Sequence, residues 1–555
     1  MSHLFAIRQD CKQSNIELLK LLKRDEFEDE LHELTLEDAR LGRMTQPIPV
    51  EQCGLDGTKL HPRSCGMSSC LCVGLQRWLL VLFRFGVVQG VKANGTPKVR
   101  AVDNMSWAHC AGRRSKKRVK AHSVNGFCAV PERVKHDHLD ELAASMKLFL
   151  LWMGTLPGLF KADVSAAFRR IPLRPDHAWA AGVVYRQGNS VWVSWHKACM
   201  FGATSSVYNW ERIGALLTSI IIRVLNICLF RYVDDLFAAE RLESMEHAMQ
   251  CVARLVRLLL GPDSMDEKKL QFGANLEILG IHCMLAEAGL YLMPAEKKAA
   301  KCIETIRAAL VSGVMHAGCA QKLAGRLSWA QTFMFHKVGR AMLRPIFDQK
   351  WSKSGQVSKM LRTALMRWLN VLALTICECR PWTVTDEPPV HVFVDARGVP
   401  PRCAAVAVID GKVHHSDGEP SERIMKCFQK RADAQICGLE MLAIALGLSV
   451  FANELKGRKV IMFSDNKGAE GATRKGTAKA WDHCQIIHEI WTMALQSGIH
   501  LWLERVPTDD NVSDLPSRQE YSLLQEMGSV WREPVIASMF LADRQDEGMQ
   551  SCHAF

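Results

Sequence analysis

Residues 230–237 read Phe-Arg-Tyr-Val-Asp-Asp-Leu-Phe, two adjacent carboxylates, Asp234 and Asp235, set between apolar flanks. Ile227, Leu229 and Phe230 precede them and Leu236, Phe237 and Ala238 follow. Short apolar runs on both sides of a polar pair predict two buried strands with the acids at the turn between them. Side chains alternate across a strand, so the two acids face different ways. Carboxylates held close together repel unless a cation neutralises them, and a hard divalent ion with oxygen ligands suits the pair. The plainer reading is an exposed turn, where aspartate is common.

A second acid upstream favours the first reading. Lys161–Leu173 runs Lys-Ala-Asp-Val-Ser-Ala-Ala-Phe-Arg-Arg-Ile-Pro-Leu, and Asp163 closes a predicted strand that begins in the apolar run Leu156–Phe160. Phe168 stands five positions further on. Together with the Tyr-Val-Asp-Asp box these words resemble the palm of reverse transcriptases. The resemblance implies Asp163, Asp234 and Asp235 as catalytic acids, and Phe168 as the steric gate against a ribose 2′ hydroxyl.

At 555 residues the chain has room for three or four domains. Its net charge of +12 favours a polyanionic partner without separating nucleic acid from a membrane surface. Residues 297–367 hold fourteen Lys or Arg against Glu304 and Asp348, an excess equal to the net charge of the whole chain. Met1–Ser14 has no signal-peptide pattern, and the cysteines follow no repeating disulfide spacing. Reduced thiols and a cytoplasmic or nuclear setting, not secretion, are the expectation. Cys70–Val88 is the most apolar window, but Arg77 and Arg84 interrupt it, so no membrane association is expected.

Residues 1–84 read as an N-terminal extension whose acidic Arg24–Arg40 is a solvated helical surface. His61, Cys65, Cys70 and Cys72 match no established zinc spacing and lie among apolar residues. Asn94-Gly95 signals a hairpin carrying Lys92, Lys98 and Arg100. It resembles the fingers of the family, where Lys98 and Arg100 would hold a triphosphate; by itself it is also an ordinary exposed hairpin. Arg113–Lys120 is almost wholly basic and reads equally as a phosphate contact, an import signal or a solvated loop. His136–Trp152 and Ser244–Leu260 carry helical apolar stripes. Phe201-Gly202 before a helix resembles the family's template- and nucleotide-positioning segment, in which Gly202 lets backbone approach a base pair. Val207 stands about where the family has proline. Lys269, chosen over Lys268, matches the lysine that protonates the leaving pyrophosphate.

The basic helical residues 286–382 resemble a thumb and connection gripping a template–primer duplex through its phosphates. Residues 323–331 (Leu-Ala-Gly-Arg-Leu-Ser-Trp-Ala-Gln) and 339–345 (Gly-Arg-Ala-Met-Leu-Arg-Pro) resemble retrotransposon polymerases of the tyrosine-recombinase class and their protist relatives. After a linker at 383–389, Val390–Val394 reads as a strand ending in Asp395. Cys403–Ile409 and Lys412–Ser416 form a hairpin around Asp410-Gly411, and Ala434–Leu455 is an amphipathic helix with Glu440 on its apolar side. Lys459–Phe463 is a strand before Asp465, and His500–Val506 precedes Asp514. Acids in this order resemble ribonuclease H over 390–520, with Asp395, Glu440, Asp465 and Asp514 as its catalytic set. The histidine that many such enzymes carry before the last acid is absent from Thr508–Asn511. The tail 521–555 shows no motif.

The implied fold is multidomain α/β: a right-hand polymerase, with fingers and palm at 85–285, followed by the helical thumb/connection and the ribonuclease H-like domain. The implied activity is RNA-directed DNA synthesis with cleavage of RNA in RNA–DNA hybrids. Its partners are an RNA or DNA template with primer and deoxynucleoside triphosphates. Two magnesium ions per site, with manganese as the substitute, would rest on Asp163 and Asp234 in one site and on Asp395, Glu440, Asp465 and Asp514 in the other. The alternative is a decayed or domesticated element product that binds nucleic acid without synthesis.

Overall fold

The computed structural model describes residues 14–53, 80–92, 94–107, 123–332, 337–374, 377–383, 386–536 and 553–554. His61, Cys65, Cys70, Cys72 and the run Arg113–Lys120 lie outside them. The chain is mixed α/β and divides into two compact units, Met1–Leu279 and Gly280–Phe555. The division falls a few residues before the 285/286 boundary read from sequence. Among the described residues, no helix is long and apolar enough to cross a membrane.

Among the described residues, two sheets lie wholly within the first unit. One has the strand order Ile48–Pro49, Ser190–Trp195, Gly182–Gln187, Val81–Val91, Pro97–Asp103. The boundary at 84/85 therefore falls inside a strand, and the preceding residues are not a separate extension: Leu18, Val50 and Cys53 share a core with Val81, Val184 and Trp195. The helix Glu28–Arg40 is not only a solvated surface, because it buries Leu31 and Thr35 and sends Asp38 into a buried ionic network. In that network Arg84 Nε donates to Asp103 Oδ1 at 3.0 Å, His196 Nε2 lies 2.9 Å from Asp103 Oδ2, and Arg169 Nη1 lies 2.7 Å from His196 Nδ1. A guanidinium only donates, so Nδ1 accepts and the imidazole is neutral, its proton on Nε2 toward Asp103. Burial pushes His196 down to about 4 against the pull of Asp103. Burial works to raise Asp103, and Arg84 and His196 outweigh it, holding the carboxyl at about 2.

The other sheet is antiparallel, in the order Cys228–Tyr232, Asp235–Arg241, Pro157–Asp163, Gln271–Gly273. Helices Thr204–Leu225 and Met245–Leu260 pack on it. Met245, Met249, Val252 and Val256 recur at helical spacing and meet Phe160, Leu229 and Leu236 in one core, whereas Leu259, at the end of the predicted stripe, is exposed.

The second unit is built on a six-stranded sheet in the order His500–Arg505, Lys459–Ser464, Val390–Gly398, Pro401–Ile409, Lys412–Gly418, Val530–Trp531. The first two pairings are parallel, the next two antiparallel and the last parallel. Domain and tail thus do not part at 520/521. Asp410 and Gly411 both have positive φ, as the tight turn requires. The helix Ile436–Val450 is not amphipathic: Gly438–Leu448 is buried on every side, between the sheet and the helix Trp481–Gln496. Gly447 lets it lie close, since a Cβ there would stand 3.4 Å from Met462, Val392 and Val394.

Helical residues before 383 and sheet residues after 389 share one core in this unit, in which Ile306, Leu323 and Trp368 belong with Val392, Leu446 and Ile490. An ion pair crosses the same contact, from Arg367 to Glu489, whose side chain is 1 % exposed. Burial and then Arg367 drive neighbouring His488 down to about 3. Removing one member of a buried pair strands the other charge. Arg367→Met should therefore destabilise this unit by about 3–5 kcal/mol, and Arg367→Met with Glu489→Leu should recover most of that; urea unfolding of the four members of the cycle measures both.

Candidate active sites

Strand register assembles the first cluster. Asp163, the last residue of its strand, is the cross-strand partner of Asp235, the first of the next. Tyr232 also pairs with Asp235, so Val233 and Asp234 make a two-residue turn. Val233 sits at φ 54°, left-handed backbone that costs a β-branched residue roughly 1–3 kcal/mol. Its carbonyl accepts from Trp210 Nε1 at 2.7 Å and Arg231 Nη1 at 3.0 Å, and these donors hold the turn. The Asp234 carbonyl accepts from the amide of Val164 at 2.9 Å, tying the turn to the residue after Asp163.

The electrostatics follow from crowding. Burial, then Asp234 and Asp163, push Asp235 up to about 6. Burial raises Asp234, with Asp163 adding to it. The Lys269 ammonium lies on Asp163 Oδ2. Burial works against its charge, and the hydrogen bond and attraction of Asp163 prevail, so Lys269 titrates above the ordinary lysine range.

Arg100, Phe201 and Phe168 form a file beside these acids. The Arg100 guanidinium lies 4.0 Å over the Phe201 ring, whose centroid is 5.4 Å from that of Phe168 at a steep angle. Arg100 also acts on Asp234 through its charge. Lys98, two residues away on the same face of the strand, is exposed. Gly202 is at φ 91°, and a Cβ there would meet the Asp103 carbonyl at 2.8 Å. The glycine is thus required by a close approach of the chain's own backbone. Asp103 carried no signal in the sequence, because its partners Arg84, Arg169 and His196 come from separate segments that no local pattern links.

The second cluster joins Asp395, Glu440 and Asp465, each with one carboxylate oxygen within 4.8 Å of the others'. Among the described residues no other three His, Cys, Asp or Glu come so close, and Asp163, Asp234 and Asp235 do not meet that spacing. Asp395 lies within its strand, not at its end, because pairing continues through Gly398↔Pro401. Parallel register sets Val394 beside Ser464 and so brings the next residues, Asp395 and Asp465, together. Burial, then Asp395 and Asp465, push Glu440, 4 % exposed, up to about 9. Burial raises Asp395 to about 6, with Asp465 and Asp514 adding. Asp514 stands outside the group of three, and Arg518 Nη2 holds its Oδ1 at 2.9 Å. Asn511, missed in the sequence, docks this loop by donating from Nδ2 to the Val394 carbonyl at 3.1 Å.

A divalent metal fits the second cluster: the donors are all oxygens, and Glu440 Oε2 is buried without a hydrogen-bond partner. In the first cluster Lys269 already spends one oxygen of Asp163.

The sequence matches no family model. It also matches no curated protein. Among solved structures it is similar to the foamy viral protease–reverse transcriptase. A complex with double-stranded DNA aligns at 13% identity and TM-score 0.37, covering 77% of this chain and 66% of that one. A complex with an RNA/DNA hybrid aligns at 13% and 0.38, covering 77% and 50%. Another double-stranded DNA complex aligns at 14% and 0.35, covering 77% and 78%. This chain thus spans 66% and 50% of the length of the first two.

Glu440 gives a signed stability test in metal-free protein. Its folded pKa, about 9, lies above the ordinary value of 4.5, so the folded state keeps a proton that the unfolded state loses. Stability conferred by that proton is complete below 4.5 and falls as pH rises toward 9, by at most about 1.4 kcal/mol per pH unit for one proton. Glu440→Gln should raise Tm relative to wild type, by a margin that widens between pH 5 and 8; thermal melts across that range check it.

Proposed function

We propose that this chain is an RNA-directed DNA polymerase of a retrotransposon that also cuts the RNA strand of RNA–DNA hybrids. In this reading residues 85–285 are fingers and palm, 286–382 thumb and connection, and 390–520 the nuclease. The supporting observation is the convergence of acids from distant parts of the sequence, with Asp163 opposite Asp235 in one cluster and Asp395, Glu440 and Asp465 in the other.

Asp163 and Asp234 would hold magnesium in the polymerase, with Asp235 in support. Asp395, Glu440, Asp465 and Asp514 would do so in the nuclease. Magnesium, when bound, supplies countercharge for in-line phosphoryl transfer and makes the attacking oxygen more acidic. The protein's own part is position and charge. Lys98 and Arg100 would grip the triphosphate, Arg100 being oriented by the Phe201 face. The Phe201–Phe168 contact would fix Phe168 against the sugar. Lys269, which shares the Asp163 oxygen a cation would use, carries the proton destined for the leaving pyrophosphate. In the nuclease, Asn511 fixes the loop bearing Asp514, and strand choice rests on the 2′ hydroxyl and groove shape.

Purified full-length protein with magnesium, primed RNA and deoxynucleotides should extend the primer, and Asp234→Asn should lower the rate about a hundredfold or more. Equal behaviour of wild type and variant sinks the polymerase reading and favours a nucleic-acid-binding remnant. A labelled RNA–DNA hybrid should be cut by wild type and not by Asp465→Asn; persistent cutting removes the nuclease assignment. Phe168→Ala should incorporate ribonucleotides that wild type rejects, measured by competition between the two triphosphates.

A further inference from the structure

Behind the Val233–Asp234 turn, in the first unit, lies a cavity of about 350 Å³. The segment before the helix Leu139–Met153 forms one wall with Lys135 and Asp137, the helix Thr204–Leu225 another with Glu211, Ser219 and Arg223, and Arg231 a third. Glu211 is ion-paired, and Asp137 accepts a backbone hydrogen bond. Asp137 Oδ2 accepts from the Arg231 amide at 2.9 Å, while Glu211 takes Arg231 Nη2 at 2.6 Å and faces His136 Nδ1 at 3.4 Å. Lys135 and Arg223 make no ion pair with a described residue. With Arg231 offset by Glu211, Lys135 and Arg223 outnumber Asp137, and the lining keeps a net positive charge.

Arg231 is the link to the turn. It is 5 % exposed, its Nη1 donates to the Val233 carbonyl, and its Nε is buried with no hydrogen-bond partner. Gly214 makes room for it, since a Cβ there would stand 2.8–2.9 Å from three guanidinium atoms. An anion in the cavity competes with the Val233 carbonyl for the guanidinium that holds the strained backbone of that turn.

We propose that this cavity binds a small free anion bearing phosphate or carboxylate groups, and that the bound anion acts through Arg231 on the turn carrying Asp234. Its volume suits a small metabolite and not a duplex. The proposal stands apart from the polymerase reading, because it concerns a cavity and a turn whose geometry holds whatever the acids catalyse.

The test uses full-length protein in buffer stripped of divalent ions by resin, titrated calorimetrically with inorganic phosphate and, separately, with citrate. Lys135→Gln with Arg223→Gln, both exposed positions, should weaken binding at least tenfold, while Lys322→Gln with Lys359→Gln, an equal charge change in the other unit, should not. Binding of phosphate alone or citrate alone assigns the ligand class. The turn is read by fluorine NMR of protein labelled with 3-fluorotyrosine, in which Tyr232 is one of five signals, assigned with Tyr232→Phe. Its resonance should move on saturation of wild type and stay still in the Lys135/Arg223 variant. Absence of binding by both anions, equal loss in the control pair, or a Tyr232 resonance that does not respond overturns the proposal.

Discussion

Backbone hydrogen bonding, not attraction between side chains, brings these acids together. A carboxylate does not seek another carboxylate, yet the antiparallel ladder sets Asp163 across from Asp235, and the parallel ladder carries Asp395 to Asp465 one step beyond Val394 and Ser464. The ladders are secured by the apolar residues beneath them, Phe160, Leu229 and Leu236 in one unit and Val392, Val394 and Met462 in the other. A one-residue slip would turn those residues out of their cores. Core packing thus sets the position of the charges.

The two clusters relieve the repulsion differently. In the first, Lys269 supplies a cation from the chain itself and settles on Asp163, leaving Asp235 to rise to about 6. In the second, no described lysine pairs with the three clustered acids, and Glu440 answers by holding its proton to about 9, with one oxygen unsatisfied. The second site is therefore the more strongly prepared for an external positive charge. Arg518 reduces its demand by taking an oxygen of Asp514.

Much of this was legible in the sequence. Short apolar runs on both sides of Asp234-Asp235 located the hairpin, Asp410-Gly411 marked a tight turn, and a glutamate among Ile436, Ala443 and their neighbours stood out as a charge in need of a partner. What escaped was non-local. The strand through Asp395 runs on because Pro401–Ile409 folds back on it, which no feature of Ala396-Arg397-Gly398 announces. The helix Ile436–Val450 looked one-sided in pattern but is enclosed because a second helix covers its other face. The left-handed Val233 contradicts local preference and persists because Trp210 and Arg231 hold its carbonyl. The network of Asp38, Arg84, Asp103, Arg169 and His196 draws on segments too far apart for any local pattern to join them.

The shared core of the second unit bears on the order in which the chain matures. The helix Lys359–Ala373 buries Trp368 in a core that Ile490 also supplies, and Arg367 finds Glu489 122 positions later. During synthesis from the N-terminus, that helix leaves the ribosome after the helices Glu296–Ser312 and Leu343–Asp348 that pack on it, but well before Glu489 exists. Closing contacts of such span is slow, so the Arg367 charge stays without its partner until the helix Trp481–Gln496 arrives.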